Sequence, residues 1–512
     1  MNNEFKNKKF EIILEIANNH DGDLFHAIDI INRYSEICSK FKDKFDFYFK
    51  FQYRDLDSYI HRDHLNSDNK LIQRFTTTKF SDENFLTLSK IIRQNGFFLM
   101  CTPFDEASVE KVYRQGFDKL KIASACIDDW SLHEKISSSH PDVPLVISTG
   151  GANFDQIDNI VSYYKHRNRN FSLLHCVGLY PTPVEATNLS RIDYLRKRYS
   201  DIDIGFSSHE TPDTIIFAPM ALAKGAIIFE KHIGLAENGH TNNKYSTDAL
   251  EFYSWISNLN SAVTALDPRN SEFSSHFYEL ERNTIFGLKR GAYLKNDKRG
   301  NSLIDKADIY FATPRLEHSL GPENFGISIK GYSINFDIPK NGELTQQNVT
   351  PIKNFDHHAT IANILHKCKA MLSEANIILG SDIEVEISHH DGLENFQNVG
   401  AVIITAINTE HYAKKLIIQI GGQTHPLHMH PIKNESFQVL WGLGSINLNG
   451  TNVESQAGDI HHISSGQMHG FSTDSGWILE EISTKAIVGD SVYKIDLTKA
   501  RKTNIKDLWL EF

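Results

Sequence analysis

The chain has 512 residues, of which 40% are hydrophobic and 23% are charged, and its formal net charge at pH 7 is -11. A chain of this length is too long to fold around one hydrophobic core, and a prior of about 150 residues per domain predicts roughly three domains. The negative charge argues against a nucleic-acid surface as the main partner. The sequence has no run of about 18 apolar residues that would predict a membrane span.

The cysteines and the amino-terminal composition bear on the compartment. Five cysteines at irregular spacing include no CxxC pair, a pattern that favours a reducing environment. The first stretch, MNNEFKNKKFEIILEI, holds no apolar run typical of a signal peptide. We therefore expect a cytoplasmic protein.

Short apolar runs alternate with amphipathic stretches in the first half of the chain. Eight such runs precede residue 235, and most gaps between them have helical periodicity. Eight strands alternating with helices over about 270 residues predict a parallel (β/α)8 TIM barrel. The alternative, an open doubly wound sheet, would cluster its functional residues at one switch point. The predicted strands are 11–16, 45–51, 96–101, 119–123, 144–148, 171–176, 202–206 and 226–232.

Polar side chains stand where these predicted strands end. The seventh strand runs into His209 and the eighth into His232. Because a barrel builds its site from the loops after its strands, two histidines on adjacent strands favour a metal pair. Cations and hydroxyl groups at the other strand ends describe an anion site, and they are Lys50, Thr102, Lys121, Ser124, Ser148 and Ser207.

The pattern changes from residue 283 onward. Residues 290–348 carry short β-like pieces broken by glycine and proline, which predict a small β-rich module. Residues 354–380 predict a helix, and the short alternating runs after them predict a closed β-sandwich or β-barrel. These runs are 383–388, 399–407, 412–420, 436–440, 445–448 and 477–482. The predicted domains are 1–285, 286–352 and 353–512.

The last domain carries histidines at metal-ligand spacing. His428 and His430 share one face of a strand, and we expect Glu435 and His469 to arrive from neighbouring strands. Three imidazoles and a carboxylate suit a divalent transition metal such as Mn, Fe, Ni or Zn. The spacing resembles the two motifs of the cupins, with Ser464 where the second motif usually has proline. That resemblance implies a cupin barrel, a fold that serves sugar isomerisation, epimerisation, oxygenation and binding.

Eight short motifs resemble, in order, those of the sialic acid synthase family. They are EIANNHDG from Glu15, KFQ from Lys50, CTPFD from Cys101, KIAS from Lys121, STGG from Ser148, LHCVGLYPTP from Leu174, GFSSHE from Gly205 and EKHI from Glu230. The resemblance implies a transferase that condenses phosphoenolpyruvate with an N-acyl-hexosamine to give a nine-carbon 2-keto acid and phosphate. Residues 290–350 resemble the family's small antifreeze-protein-like (SAF) domain, which implies a domain-swapped homodimer.

The resemblance also implies roles for individual residues. It makes His209 and His232 the ligands of a divalent metal, typically manganese. Glu15 is the candidate for handling the water or sugar proton. Phosphoenolpyruvate would contact Lys50, Thr102, Lys121, Ser124, Ser148 and Ser207. The sugar would contact Glu15, Gln52, Tyr180 and, from the second subunit, Arg315.

Three departures from the family pattern stand in this chain. Gly178 replaces an asparagine of many members, and the segment after Arg315 lacks the usual proline. Asn242 stands in place of an aspartate that handles the sugar near the metal, with Asp248 as a candidate substitute.

Several alternatives stay open. The product could be a neuraminic-, legionaminic- or pseudaminic-type acid, and the Asn242 departure also admits a non-catalytic sugar-binding protein. A different phosphoenolpyruvate aldol-type synthase, acting on an arabinose or erythrose phosphate, would need a second phosphate site. The sequence shows no extra basic cluster for one.

Overall fold

The computed structural model describes residues 9–65, 67–266, 276–326, 329–353, 355–390, 392–485, 487, 489–494 and 502–511. Residues 1–8, the first half of the stretch that argues against a signal peptide, lie outside the described residues. The chain divides into two compact units, Met1–Glu279 and Leu280–Phe512. No helix in the described part of the chain combines the length and apolar character needed to cross a bilayer.

The first unit contains a closed parallel barrel of eight strands in chain order, which confirms the predicted TIM barrel and excludes the open sheet. The seventh strand lies two residues later than predicted because Ser207 and Ser208 pair with the eighth strand. The strands are β1 Phe10–Glu15, β2 Phe45–Tyr53, β3 Phe98–Pro103, β4 Lys119–Ile122, β5 Leu145–Ser148, β6 Phe171–Cys176, β7 Ile204–Ser208 and β8 Ile228–His232.

Ten helices accompany these strands in the described residues. Helix α1 begins where the Asp23 carboxylate accepts hydrogen bonds from the Phe25 and His26 amides, which satisfies free donors of the first turn. Helix α5 ends at Gly116, whose φ of 65° suits a residue without a side chain. The helices are α1 Leu24–Cys38, α2 Leu56–Tyr59, α3 Lys70–Thr77, α4 Asp82–Gln94, α5 Glu106–Gln115, α6 Trp130–Ser139, α7 Phe154–Lys165, α8 Ser190–Arg198, α9 Phe217–Ala223 and α10 Ala249–Ala265.

The alternation of side chains along the strands divides the barrel interior into a filled end and an open end. A separate hydrophobic cluster includes Ile13, Tyr48, Met100, Val146, Leu174 and Ile228. Two positions farther along the same strands, on the same face, stand polar side chains. They are Glu15, Lys50, Thr102, Ser148, Cys176 and Glu230. The barrel therefore has an apolar floor and a polar mouth at the carboxyl ends of its strands.

The second unit begins with the end of α11, His276–Leu288, and a small β-rich region with its own hydrophobic cluster. Strands β10, β12 and β13 form one sheet, and β9 pairs with β11. The bounds are β9 Gly291–Leu294, β10 Leu303–Ile304, β11 Ile309–Ala312, β12 Ile329–Ile334 and β13 Val349–Lys353.

The remainder of the second unit forms one antiparallel sheet of eleven strands in the described residues, preceded by α12 His357–Glu374 and followed by α13 Lys506–Glu511. The prediction of separate strands at 436–440 and 445–448 is wrong, because a bulge between Val439 and Trp441 bends one continuous strand. That strand pairs with different neighbours along its length, so the sheet curls. The strands are β14 Glu384–His389, β15 Gly400–Asn408, β16 Tyr412–Ile420, β17 Gln423–Met429, β18 Glu435–Leu448, β19 Thr451–Gln456, β20 Ile460–Ile463, β21 His469–Thr473, β22 Gly476–Thr484, β23 Val492–Tyr493 and β24 Lys502–Asn504.

Candidate functional site

The barrel register brings three of the predicted site residues side by side. Glu15, the last residue of β1, pairs with Lys50 on β2 and with His232 on β8. Ser207 on β7 pairs with Glu230 on β8 by the same parallel register. Strand pairing alone therefore places a carboxylate, an ammonium and an imidazole at one level of the barrel mouth.

A cavity of about 600 Å³ opens at this end of the barrel. Every barrel residue that the sequence predicted for the site lines it, namely Glu15, Lys50, Gln52, Thr102, Lys121, Ser124, Ser148, Tyr180, Ser207, His209 and His232. Arg315 belongs to the second unit.

Two buried lysines share one carboxylate at the bottom of this cavity. The Lys50 ammonium lies 2.8 Å from Glu15 Oε2 and 2.8 Å from Glu230 Oε2. The Lys121 ammonium lies 2.5 Å from the same Glu230 oxygen. The Ser207 hydroxyl donates to the other oxygen of Glu230 at 3.1 Å. Burial of these charges is costly unless they stay paired, so an incoming anion would have to replace a carboxylate.

The two lysines differ in their protonation equilibria. Burial lowers the pKa of Lys50, but Glu15 and Glu230 outweigh burial and hold that pKa above its ordinary value. Burial lowers the pKa of Lys121 below its ordinary value. The Glu230 carboxylate opposes this lowering, and the Lys50 charge adds to it. Burial would raise the pKa of the Glu230 carboxyl, yet both lysines hold it well below its usual range. Glu230 therefore stays ionised at neutral pH.

The histidine pair forms the side of the cavity at β7 and β8. The ring centroids of His209 and His232 are 5.3 Å apart. His209 Nδ1 lies 3.0 Å from the Val177 carbonyl, so this nitrogen donates and the other is left as a ligand. Burial and the neighbouring His209 hold the pKa of His232 well below its usual value. His232 Nδ1 is buried without a hydrogen-bond partner among the described residues. A histidine pair in which one ring nitrogen lacks a partner among the described residues fits a divalent metal ion.

Cys176 is an additional cavity residue that the sequence reasoning did not assign. Its sulfur lies 4.0 Å from His209 Nδ1. Burial would raise the pKa of this thiol, but the contact with His209 outweighs burial and lowers it. The same contact outweighs the effect of burial on His209 and raises the pKa of that imidazole.

A hydrogen-bonded loop after β8 holds Tyr245 over the histidine pair. The Asn243 amide donates to Asn19 Oδ1 at 3.0 Å, and its own carbonyl accepts from the Ser246 hydroxyl at 2.8 Å. Asn19 also donates to Ser246 Oγ at 2.9 Å. The Tyr245 ring centroid consequently lies 5.0 Å from that of His232.

Asp248 does not take the place of the aspartate that Asn242 replaces. Its carboxylate accepts from the Glu251 amide at 2.9 Å and caps α10. Asp248 is absent from the described residues that line the cavity, whereas Tyr245 lines it. Among the other residues that the sequence reasoning missed, Glu230 could have been found, because it stands two positions before His232 on one strand face.

A second histidine cluster lies in the curled sheet. Nitrogen atoms of His428, His430 and His469 all lie within 4.8 Å of one another, and all three side chains are buried. Strand pairing sets His428 opposite His469. Glu435 Oε1 lies 2.8 Å from His469 Nε2 and 3.8 Å from His430 Nε2. The four residues predicted from the motif spacing are thus neighbours in space.

The electrostatics of this cluster keep its donors available. Burial holds the pKa of His428 well below its usual value and also lowers that of His430. Burial would raise the pKa of Glu435, but His469 and Lys433 lower it to about 2. The Lys433 ammonium lies 2.6 Å from Glu435 and 3.0 Å from Glu481. Neutral imidazoles beside an ionised carboxylate suit a divalent transition metal.

Arg315 is held within its own β-rich region. Its guanidinium donates to the Ser319 carbonyl at 2.9 Å and forms an ion pair with Glu323. The side chain is 11% exposed. A role for Arg315 toward a second subunit stays a prediction.

Comparison with known proteins bears on the identity of the barrel. Residues 46–270 match the NeuB family. A crystal structure from Chromobacterium violaceum, of a protein provisionally named spore coat polysaccharide biosynthesis protein E, is 33% identical with a TM-score of 0.59, and the match covers 67% of this chain and 100% of that one.

Two curated relatives carry names that describe an activity. The human N-acetylneuraminate-9-phosphate synthase is 31% identical over 227 residues, which are 44% of this chain and 62% of that enzyme. The N,N'-diacetyllegionaminic acid synthase of Legionella pneumophila is 24% identical over 318 residues, which are 59% of this chain and 85% of that enzyme. The match thus spans less than two thirds of the human enzyme. With the barrel and its cavity, these similarities show that the chain belongs to the NeuB family.

Proposed function

We propose that the chain condenses phosphoenolpyruvate with an N-acyl-hexosamine of the N-acetylmannosamine type, giving a nine-carbon 2-keto sugar acid and phosphate. The observation that carries this proposal is one cavity that joins a histidine pair to two buried lysines. The lysines suit a phosphorylated carboxylic acid, and the histidines suit a metal that activates a carbonyl group. The named relatives support a synthase of this class.

The lysines and hydroxyl groups would bind phosphoenolpyruvate. Its anionic groups would take over the contacts that Lys50 and Lys121 now make with Glu230. Thr102 Oγ1 is buried without a hydrogen-bond partner among the described residues, so it is available to an anion. Ser124, Ser148 and Ser207 add further hydroxyl donors on the cavity wall.

His209 and His232 would hold a divalent metal, for which we propose manganese. When bound, the metal supplies Lewis acidity to the carbonyl oxygen of the open-chain sugar. Tyr180 and Tyr245 flank the histidines and would restrict how the sugar approaches, since the Tyr180 ring centroid lies 4.3 Å from that of His209.

Glu15 would handle the proton that the reaction must move. The enol C3 of phosphoenolpyruvate attacks the sugar aldehyde, water adds at C2, and phosphate leaves by cleavage of its C–O bond. Glu15 is fixed for this task by the Ala17 amide at 2.7 Å and the Gln52 amide at 3.3 Å. A carboxylate held in this way can orient water or the sugar hydroxyl as a general base.

The second cluster would hold a divalent transition metal through His428, His430, Glu435 and His469. We assign this domain a cupin-type role on a sugar, either isomerisation or epimerisation, with sugar binding as the alternative. Replacing His428 and His430 together by alanine tests this assignment. Loss of a sugar conversion would support catalysis, whereas a change confined to sugar binding or assembly would favour the binding role.

The residues 286–352 would act as a SAF-type module in a domain-swapped homodimer, with Arg315 reaching the partner's sugar. Arg315→Ala should then raise the KM for the sugar and leave the KM for phosphoenolpyruvate unchanged. Mixing Arg315→Ala with Lys50→Ala subunits should restore activity in mixed dimers if Arg315 acts across subunits. No restoration would contradict the swapped arrangement.

Phosphate release from phosphoenolpyruvate tests the main proposal. The full chain with Mn²⁺ is screened against N-acetylmannosamine, its 6-phosphate and 2,4-diacetamido-6-deoxyhexoses, and a mass spectrum is taken of each product. Sugar-dependent release with a product of the expected condensed mass supports the synthase. Absence of release with every sugar, from protein loaded with metal, would reject it in favour of a sugar-binding barrel.

A further inference from the structure

Two arginines line the barrel cavity outside the lysine and carboxylate network. Arg54 follows the last residue of β2, and Arg74 lies on α3. The guanidinium carbon of Arg54 lies 3.7 Å from the ring centroid of Phe104 and 4.1 Å from that of Phe75. Contact with aromatic faces holds the plane of the guanidinium in place, so its N–H donors lie along the edge.

These arginines carry charge that the described residues leave unpaired. No carboxylate oxygen in the described part of the chain lies within 4.0 Å of either guanidinium, whereas Lys50 and Lys121 are both paired. Arg54 donates to a neutral group, the Gln52 side-chain carbonyl, at 3.0 Å. Its Nε is buried without a partner among the described residues. The cavity therefore presents two cations without a paired carboxylate among the described residues, and Arg54 Nε is a free donor there.

The position of Arg54 on the barrel separates its backbone from that of Lys50 in the proposed phosphoenolpyruvate site. Lys50, Gln52 and Arg54 follow one another at every second position of the second barrel strand and its end, so they run along one face toward the mouth. At about 3.3 Å per residue, the backbone of Arg54 is roughly 13 Å beyond that of Lys50. In the closed eight-stranded barrel β2 lies three strands from β7, so the end of β2 that carries Arg54 stands away from the end of β7 that carries His209.

We propose that Arg54 and Arg74 form an anion subsite for the second substrate. The N-acyl-hexosamine would then carry a phosphate or carboxylate group at the end remote from its reacting carbonyl. Guanidinium groups match both anions through paired N–H donors. This inference rests on the proposed function and adds to it the charge class of the sugar.

The test compares a neutral sugar with its anionic counterparts. The full chain with Mn²⁺ and phosphoenolpyruvate is assayed with N-acetylmannosamine, its 6-phosphate and the corresponding 6-carboxylate, and binding of each sugar is also measured by calorimetry. We expect kcat/KM for one anionic sugar to exceed that for the neutral sugar by at least about tenfold, as a charge-assisted hydrogen bond allows. The anionic sugar with the higher kcat/KM then shows whether the subsite selects a phosphate or a carboxylate group.

Variants then assign the preference to the arginines. Arg74→Ala should lower kcat/KM for the anionic sugar by about 10- to 100-fold and leave the neutral sugar and the KM for phosphoenolpyruvate unchanged. Arg54→Lys keeps the charge but loses the paired donors, so it should lose most of the preference. Arg114→Ala, which removes an exposed helical arginine outside the cavity lining, is the matched control.

The outcomes separate this inference from the proposed function. Turnover with equal kcat/KM for neutral and anionic sugars, unaffected by Arg74→Ala, would overturn the anion subsite and leave the synthase standing. A raised KM for phosphoenolpyruvate in Arg74→Ala would overturn it as well. Arg74-dependent binding of an anionic sugar without turnover would support the subsite and reject the synthase. No binding and no turnover with any sugar would overturn both.

Discussion

The ammonium nitrogen of Lys121 lies 2.5 Å from Oε2 of Glu230, and neither side chain exposes more than 4% of its surface. The same carboxylate oxygen lies 2.8 Å from the Lys50 ammonium. One carboxylate thus neutralises two lysines that we assign to phosphoenolpyruvate. Binding of the substrate must compete with Glu230, and that competition is measurable.

Glu230→Gln should destabilise the barrel and make its stability depend on phosphoenolpyruvate. Removing one member of a buried charged group costs about 3–5 kcal/mol, because the other charges stay buried without compensation. Phosphoenolpyruvate supplies anionic groups to the freed lysines, so it should stabilise the variant more than the wild type. Urea denaturation with and without phosphoenolpyruvate measures both effects.

The ion pair between Lys119 and Glu11 provides the control for this experiment. Their charged atoms also approach to 2.5 Å, but the side chains are 14% and 16% exposed and stand at the starts of their strands. Glu11→Gln should lower the free energy of unfolding by less than Glu230→Gln does, and phosphoenolpyruvate should stabilise the Glu11→Gln variant no more than the wild type. An equal response in the two variants would contradict the assignment of Glu230.

Metal content should separate the two histidine clusters. We expect two divalent ions per chain after loading with Mn²⁺ and removal of free metal, as measured by elemental analysis. His232→Ala should lose the barrel ion and synthase turnover, and His428→Ala should lose the other ion. His175→Ala is the matched control, since His175 is buried on β6 but contacts the Thr187 carbonyl at 2.8 Å outside the cavity lining. Two bound ions per chain in His232→Ala, as in the wild type, would contradict the barrel metal site.

Asn243→Ala should weaken the sugar site without disturbing phosphoenolpyruvate. The substitution removes the hydrogen bond that Asn243 donates to Asn19 and the one that it accepts from Ser246, which hold Tyr245 over the histidines. At about 1 kcal/mol for each lost bond, we expect roughly a tenfold or larger fall in kcat/KM for the sugar. Thr241→Ala changes an exposed residue of the same loop and should leave the kinetics unchanged. A higher KM for phosphoenolpyruvate in Asn243→Ala would contradict this assignment and indicate that the loop contributes to the phosphoenolpyruvate site.

Strand periodicity accounts for the part of the site that could be predicted. Lys50 and His232 stand on regular strands whose alternation fixes which side chains face inward, and the same rule would have found Glu230. Arg74 lies on a helix and Tyr245 on a loop, and the placement of both depends on closure of the barrel. Neither residue could therefore be assigned to the site from local sequence pattern. The long bent β18 was missed for a related reason. Its bulge next to Trp441 depends on pairing with β22, a strand distant in sequence.

His20 should make the barrel less stable as the pH falls below neutrality. Burial lowers its pKa from 6.5 to about 4, and the ring stacks on Phe80 at 4.0 Å. Between these two pH values the unfolded chain binds the proton and the folded chain does not, so folding stability rises with pH through this window. From pH 7.5 to pH 5 the loss from this group is about 2 kcal/mol. His20→Asn should remove that part of the slope in urea denaturation, and Phe80→Ala should reduce it by exposing the ring. An identical pH slope in wild type and His20→Asn would show that this imidazole titrates alike in the folded and unfolded chains.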